Sequence, residues 1–275
     1  EGLDLVVLPE EAVTCGMGST PETRSLPLGG AWFDRMSAAA RRHTIYLVAP
    51  VDLLEKDRKG IYSNAAVLFD RGGKVTGIYR KAHPVAHIGR DELEGGVMPG
   101  GEFPVFDCDF GRIGIQICYD IEYSDGWNAL ARKGAEIVVF TTQSPQTVRP
   151  AAFAVAGRYF VVSSTPRNNA TVYNPIGMPE ARITSDGVLV HRIDLAYTLL
   201  HWSPGLDEGR TFTKAFGDRV GYLYYPSEET AICWSNNPSM TVRDMVRKLG
   251  FADMRDEVER VRRLQDAARG GPPEQ

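Results

Sequence analysis

The chain is 275 residues long, with 31 basic and 35 acidic side chains, a formal charge of −4 and 43% hydrophobic content. These proportions suit an ordinary globular chain with a sizeable core, built as one large domain or two small ones. The acidic balance excludes the basic field of a nucleic-acid-binding surface, and no apolar run reaches the ~20 residues of a membrane-spanning helix.

LDLVVLPEE (residues 3–11) is an apolar run of strand character that closes on Pro9-Glu10, delivering a carboxylate at a strand's C-terminal end. Residues 11–30 are rich in Gly, Pro, Ser and Thr and read as a loop or lid with little regular structure. Trp32, Phe33, Met36 and Ala40 follow at helical spacing and predict an amphipathic helix ending near Arg42. TIYLVAPVDLL predicts the next strand. NAAVLFD and KVTGIYRK flank Arg71-Gly72-Gly73, a hairpin signature whose second arm closes on Lys81. Residues 82–102 hold Pro84, Pro99 and Gly89, Gly95, Gly96, Gly100 and Gly101, a long segment of the kind that usually carries function. FPVFDC and RIGIQIC resume the strand pattern across Asp109-Phe110-Gly111. In the second, Ile113, Ile115 and Ile117 alternate with Gly114 and Gln116, the period of a half-buried strand, and Cys118 stands at its end.

A helix around Trp127, Leu130 and Ala131 then leads to EIVVFTT, a βαβ unit with parallel pairing, and Thr142, Gln143 and Ser144 lie at that strand's exit. AAFAVAGRY reads as a helix, FVVSST and TVYNPIG as strands, and ARITSDGVLVHRIDL as a hairpin turning at Asp186-Gly187. The alternation predicts an α/β class with one large core. From about residue 200 the chain is more polar, with scattered aromatics at Trp202, Phe212, Phe216, Tyr222, Tyr224 and Tyr225, and Met254, Val258, Val261 and Leu264 make one apolar face of a final charged helix. With no internal repeat and no linker rich in Pro, Gly or Ser, residues 1–275 read as a single domain, a core over 1–200 and a C-terminal extension over 201–275.

Three strand ends thus offer an acid, an amine and a thiol, a coherent set for thiol-based acyl transfer. The junction after Cys118 leads into a helix, whose N-terminal N–H groups would favour the thiolate. The other cysteines, Cys15, Cys108 and Cys233, are widely spaced and form no CxxC pair, so neither a disulfide framework nor a zinc knuckle is expected and the cytoplasm is the expected location.

The trio LPE, YRKAH and GIQICYD, in that order, resembles the nitrilase superfamily of carbon–nitrogen hydrolases, as do MPGGEFPVFDCDFGRIG (residues 98–114) and GAEIVVF (residues 134–140). The resemblance covers about residues 3–195 and implies a four-layer α-β-β-α sandwich. It implies a catalytic triad of Glu10, Lys81 and Cys118, a second glutamate at Glu92 or Glu94, and an oxyanion contact from the backbone N–H of Tyr119. It also implies hydrolysis of a small non-peptide amide or carbamoyl compound through a thioester, without metal or organic cofactor, by a homodimer or larger homo-oligomer. Members of the family normally carry a strand and a helix before the LPE motif, so a chain opening on Glu1-Gly2 is expected to lack that unit, and a signal peptide with it if there was one.

Tyr119-Asp120 after the cysteine resembles amidase-like branches, where nitrilases usually carry Trp-Glu. Carbamoylases tend to have an arginine shortly after that Asp, and this chain has Glu122, which disfavours a substrate carboxylate if it faces the pocket. Thr142, Gln143 and Ser144 are candidates for the pocket wall. Four other readings compete: nitrile hydrolysis on the same triad, a silent binding or scaffold member of the fold, a metal site from His83, His87, Cys108 and Cys118, and a thiol hydrolase with His83 or His87 as base. Pro84 between the two histidines opposes the helix that would give them ligand spacing.

Overall fold

In a computed structural model describing residues 2–56, 60–86, 89, 91–202 and 205–272, the apolar runs become strands and helices of two compact units, Glu1–His191 and Arg192–Gln275. The first unit contains β1 (Leu5–Val7), α1 (Pro21–Arg24), β2 (Leu26–Pro27), α2 (Gly30–His43), β3 (Tyr46–Leu54), β4 (Tyr62–Phe69) and β5 (Val75–Arg80). β6 (Val105–Cys108), β7 (Gly111–Ile117), α3 (Ser124–Arg132), β8 (Ile137–Thr141), α4 (Val148–Gly157), β9 (Phe160–Ser164), β10 (Thr171–Tyr173) and β11 (Pro179–Arg182) complete it.

The first sheet runs in the order β1-β3-β4-β5, with β2 also pairing β3. Its antiparallel centre is registered from Leu47 opposite Phe69 to Leu54 opposite Tyr62. Because side chains alternate across a strand, Leu47, Ala49, Val51 and Leu53 join Ala65, Val67 and Phe69 on one face, where Trp32 and Ala40 of α2 cover them. The alternation sends the cross-strand pair Asp52 and Asn64 to the other face, where both are buried polar residues. The β4–β5 hairpin turns where Asp70 Oδ1 accepts from the N–H groups of Gly72 and Lys74, each at 2.8 Å. Gly73 sits there at φ 78°, with the Ser37 carbonyl 2.4 Å from where a Cβ would stand, so only glycine fits.

The second sheet has the order β11-β10-β9-β8-β7-β6, with β7, β8 and β9 parallel and linked through α3 and α4. Val138, Phe140, Val161 and Tyr173 pack on one face against Trp127, Leu130 and Ala154 of those helices, and Trp127 stacks on Phe153 at 4.5 Å between ring centroids. Elements of the two sheets also touch: Ser164 Oγ donates to the Val7 carbonyl at 3.1 Å, and the Tyr79 hydroxyl donates to Asp120 at 2.7 Å.

Three sequence expectations change. β7 is buried on both faces, with Ile113, Ile115, Ile117 and Gln116 all at 0% exposure, because it is an interior strand and its Gly114 face lies under Leu130 of α3. Its alternation separates two interiors, and neither face is wet. Residues 11–30 contain α1, with Pro21 in its first turn, and β2, whose Leu26 and Pro27 pair with Leu53 and Leu54. The late hairpin is β10–β11 and turns at residues 174–178, where Asn174 Oδ1 accepts from the N–H groups of Ile176 and Met178. Around Asp186-Gly187 there is no strand, and Val188 is 86% exposed.

The second unit contains β12 (Tyr197–His201), α5 (Arg210–Phe216), β13 (Val220–Tyr225), β14 (Thr230–Ser235), α6 (Val242–Lys248) and α7 (Met254–Arg269). Its antiparallel sheet, β12-β14-β13, carries its own core in which Phe212, Phe216, Val220, Cys233 and Met245 meet. No residue of α7 is fully buried: of its apolar stripe, Met254 and Val261 are half-buried, and Val258 and Leu264 are exposed. A cavity of about 670 Å³ lies between β12 and α7 and contains none of the candidate site residues. Among the described residues no helix is long and apolar enough to cross a membrane.

The tightest test of the second sheet is Gly114, where a Cβ would stand 2.7 Å from both methyl carbons of Leu130. Gly114→Ala is expected to destabilise the protein by about 1–3 kcal/mol through overpacking, read as a lower midpoint in urea unfolding.

Candidate active site

Glu10 lies just beyond β1 and is only 4% exposed. Its Oε1 accepts from Lys81 Nζ at 3.0 Å and from Asn64 Nδ2 at 2.9 Å, and its Oε2 accepts from the Gln143 N–H at 3.0 Å. Gln143 Nε2 also donates to the Glu10 carbonyl at 2.7 Å. Donors at the ends of β5 and β8 and within β4 therefore hold one carboxylate from three sides.

Lys81 follows β5 directly, with its N–H bonded to the Asn64 carbonyl at 2.8 Å and its side chain 2% exposed. Its ammonium also donates to Glu94 Oε1 at 2.5 Å. Glu94 is fixed in turn by the Val85 N–H at 3.0 Å and by Asn64 Nδ2 at 3.4 Å. Glu92 is exposed and takes part in none of these contacts, so of the two glutamates it is Glu94 that meets Lys81. Burial pulls the Lys81 pKa down, but the carboxylates of Glu10 and Glu94, with Cys118, outweigh it and hold the ammonium above its ordinary range.

Cys118 comes immediately after β7 and opens a 3-10 turn over Cys118–Glu122. Its φ of 43° is a left-handed conformation that a non-glycine residue adopts only under constraint. Burial pushes its thiol up to about 11, and the Glu10 carboxylate adds to the shift; Lys81, the Thr142 hydroxyl and the Gln143 N–H act in the opposite direction. The expected thiolate preference is thus reversed. The regular helix α3 begins only at Ser124, too far along for its dipole to offset burial. The thiol is a neutral group that needs a base.

The exit of β8 supplies the other contacts to the sulfur. Thr142 is buried, and its Oγ1 accepts from the Ser144 N–H at 2.9 Å, which leaves its own proton for Cys118. The Gln143 N–H donates to Glu10 Oε2 and also draws the Cys118 thiol pKa down, so the exit of β8 acts on both the carboxylate and the thiol. Ser144 enters through its backbone. Tyr119 lies in the first turn after the cysteine, where N–H groups have no carbonyl within the turn to bond. Glu122 is ion-paired with Arg149, which neutralises the acidic group near the start of α3.

The histidine readings lose their geometry. His83 Nδ1 lies 2.9 Å from Asp120 Oδ1 and Nε2 lies 3.3 Å from Asp125 Oδ2, with its ring stacked on Tyr123 at 4.0 Å. Both nitrogens are engaged with carboxylates. Its pKa is raised, chiefly by the bond to Asp120. His87 lies outside the described residues. Cys108 pairs with Gly111 at the far end of the hairpin from Cys118, roughly 20 Å away along β7 at ~3.3 Å per residue. Among the described residues, no three His, Cys, Asp or Glu side chains group as a metal site would.

Two contributors went unrecognised in the sequence: Asn64, which donates to both carboxylates, and Asp120, buried behind the cysteine. Asn64 had a signal, since a polar amide in the apolar run NAAVLFD is either at an edge or at a site. A thiol with pKa about 11 predicts that iodoacetamide alkylation of Cys118, followed by peptide mass, accelerates about tenfold per pH unit between roughly pH 7 and 9. A plateau near neutral pH would mean that the thiolate is already formed.

The sequence profile of the Carbon-nitrogen hydrolase family matches residues 1–199. The chain is 32% identical over 100 residues to a citrullinase of Francisella tularensis subsp. tularensis, a match covering 36% of this chain and 35% of that protein. It is 26% identical over 221 residues to the omega-amidase NIT2 of Homo sapiens, covering 67% of this chain and 79% of that one. In fold it is similar to the amidase of Nesterenkonia sp. AN1, in a mutant carrying the acetamide moiety of fluoroacetamide covalently at its active-site cysteine. That likeness has a TM-score of 0.54 and 21% identity, over 66% of this chain and 73% of the amidase. With the profile spanning residues 1–199 of a 275-residue chain, this protein belongs to the carbon-nitrogen hydrolase family.

Proposed function

We propose that this chain hydrolyses the carbon–nitrogen bond of a small non-peptide amide through a thioester on Cys118. The observation that carries the reading is the buried Lys81 ammonium held between Glu10 and Glu94, with Cys118 near enough for the charges of both Glu10 and Lys81 to act on its thiol. The omega-amidase among its sequence relatives favours an amide as the substrate class.

The steps follow from the charges. The thiol is protonated at neutral pH, so attack on the carbonyl carbon requires that Glu10 take the proton as the S–C bond forms. The carbonyl oxygen becomes an oxyanion, which the Lys81 ammonium and the Tyr119 N–H stabilise; the ammonium is already ordered, so little reorganisation opposes it. Collapse breaks the C–N bond, and Glu10 returns its proton to the leaving nitrogen, releasing ammonia or an amine. Water then enters, Glu10 removes its proton, and the hydroxide adds to the thioester over the same oxyanion contacts. Collapse releases the carboxylic acid, and the proton on Glu10 goes back to the sulfur. Glu94 touches no reacting atom in this scheme. It holds Lys81 in place and keeps it charged. The scheme uses no metal or organic cofactor.

Ammonia release from a panel of small amides, carbamoyl compounds and nitriles tests the reading. Amides are expected to turn over, and Cys118→Ala is expected to fall to background; equal rates for the two proteins would remove the hydrolase assignment. Lys81→Met is expected to lower kcat by about 10²–10³-fold, the usual loss for one oxyanion donor. In Glu10→Gln both acylation and deacylation have lost their base, so ammonia release is expected to fall to near background with no acyl mass accumulating on Cys118.

A further inference from the structure

We infer that Asp120 is a positioning residue whose carboxylate sets the spacing between Lys81 and Cys118, an inference that rests on the hydrolase reading above. Asp120 is fully buried, and its two oxygens accept four hydrogen bonds. Oδ2 takes the Ile117 N–H at 2.8 Å and the Tyr79 hydroxyl at 2.7 Å. Oδ1 takes the His83 N–H and His83 Nδ1, both at 2.9 Å.

The placement of these donors gives the clasp its meaning. Ile117 is the last residue of β7 and directly precedes the sulfur-bearing residue. Tyr79 and His83 stand two residues on either side of Lys81, at the exit of β5. β5 and β7 belong to different sheets, so no backbone ladder fixes one strand end relative to the other. One carboxylate spans that gap. Gln116 Nε2 supports it from β7 by donating to the Tyr79 hydroxyl at 3.3 Å. From the cysteine's own side, the bond from the Ile117 N–H closes a tight turn around Cys118 and helps hold its left-handed φ of 43°.

A carboxylate is required because each oxygen faces a backbone N–H, Ile117 on one and His83 on the other. An amide at this position would turn its NH2 toward one of those donors in either orientation. Asp120→Asn therefore releases either the cysteine side or the lysine side while leaving the volume unchanged. Tyr79→Phe is the milder companion, removing one hydroxyl and one of the four bonds.

The experiment measures kcat, KM and the rate of Cys118 alkylation by iodoacetamide at pH 8 in the full chain, in wild type, Asp120→Asn and Tyr79→Phe, with circular dichroism confirming folding. With the Lys81–Cys118 spacing loosened, kcat is expected to fall about tenfold to a hundredfold in Asp120→Asn and less in Tyr79→Phe, with KM within about threefold. Alkylation is expected to slow in the same order, because the ammonium that favours the thiolate has moved away. The double variant is expected to be little worse than Asp120→Asn, since both act through one carboxylate. Folded variants with kcat and alkylation within about twofold of wild type would overturn the inference, and so would a fall in kcat with an unchanged alkylation rate. Slower alkylation in a chain that turns over no amide would support the spacing role while removing the hydrolase reading, because the two readouts are independent.

Discussion

The arrangement depends on one buried ammonium. Lys81 is taken out of water, and that cost is offset only because Glu10 and Glu94 reach it at 3.0 and 2.5 Å. Removing Lys81 would leave two buried carboxylates facing each other without a counter-charge, so the ammonium is the member the other two depend on. The group carries one more negative charge than positive, and the Asn64 amide, donating to both carboxylates, spreads the excess. The elements meeting there are the turns after β1, β5 and β8 and the loop bearing Glu94.

That charge balance also governs the sulfur. A reactive cysteine is often made a thiolate in advance, yet here burial and the adjacent carboxylate keep the thiol protonated, and the nearby ammonium only moderates the shift. The consequence is a nucleophile formed during attack. This suits a site whose base already sits beside the sulfur. Thr142 and Gln143 add neutral donors that orient the sulfur without carrying charge.

The left-handed backbone at Cys118 is part of the same design. A strand that continued straight would carry the side chain past the carboxylate, whereas the turn held by Asp120 stops it at the strand end. The second unit has a separate organisation, with its own antiparallel sheet and core, and its final helix leaves Val258 and Leu264 exposed.

Much of this was legible in the residues themselves. Apolar runs marked the strands, Arg71-Gly72-Gly73 marked the hairpin, and Glu10, Lys81 and Cys118 each stood at the end of an apolar run, because strand ends are where a buried scaffold can present a polar side chain. What depended on neighbours distant in sequence was not legible. β7 has the same pattern whether its second face meets water or a helix, and only its interior position in the sheet decides between them. Glu92 and Glu94 differ by two residues, and the positive φ at Glu94 in a glycine-bearing loop selects which one turns inward. Asn64 and Asp120 acquire their meaning from donors and acceptors 30 to 54 residues away. The linear chain determined which chemistries were present and that they lay at strand ends, since local propensity acts over a few residues. Tertiary structure alone decided their distances and charges, since burial and Coulomb interactions depend on spatial neighbours.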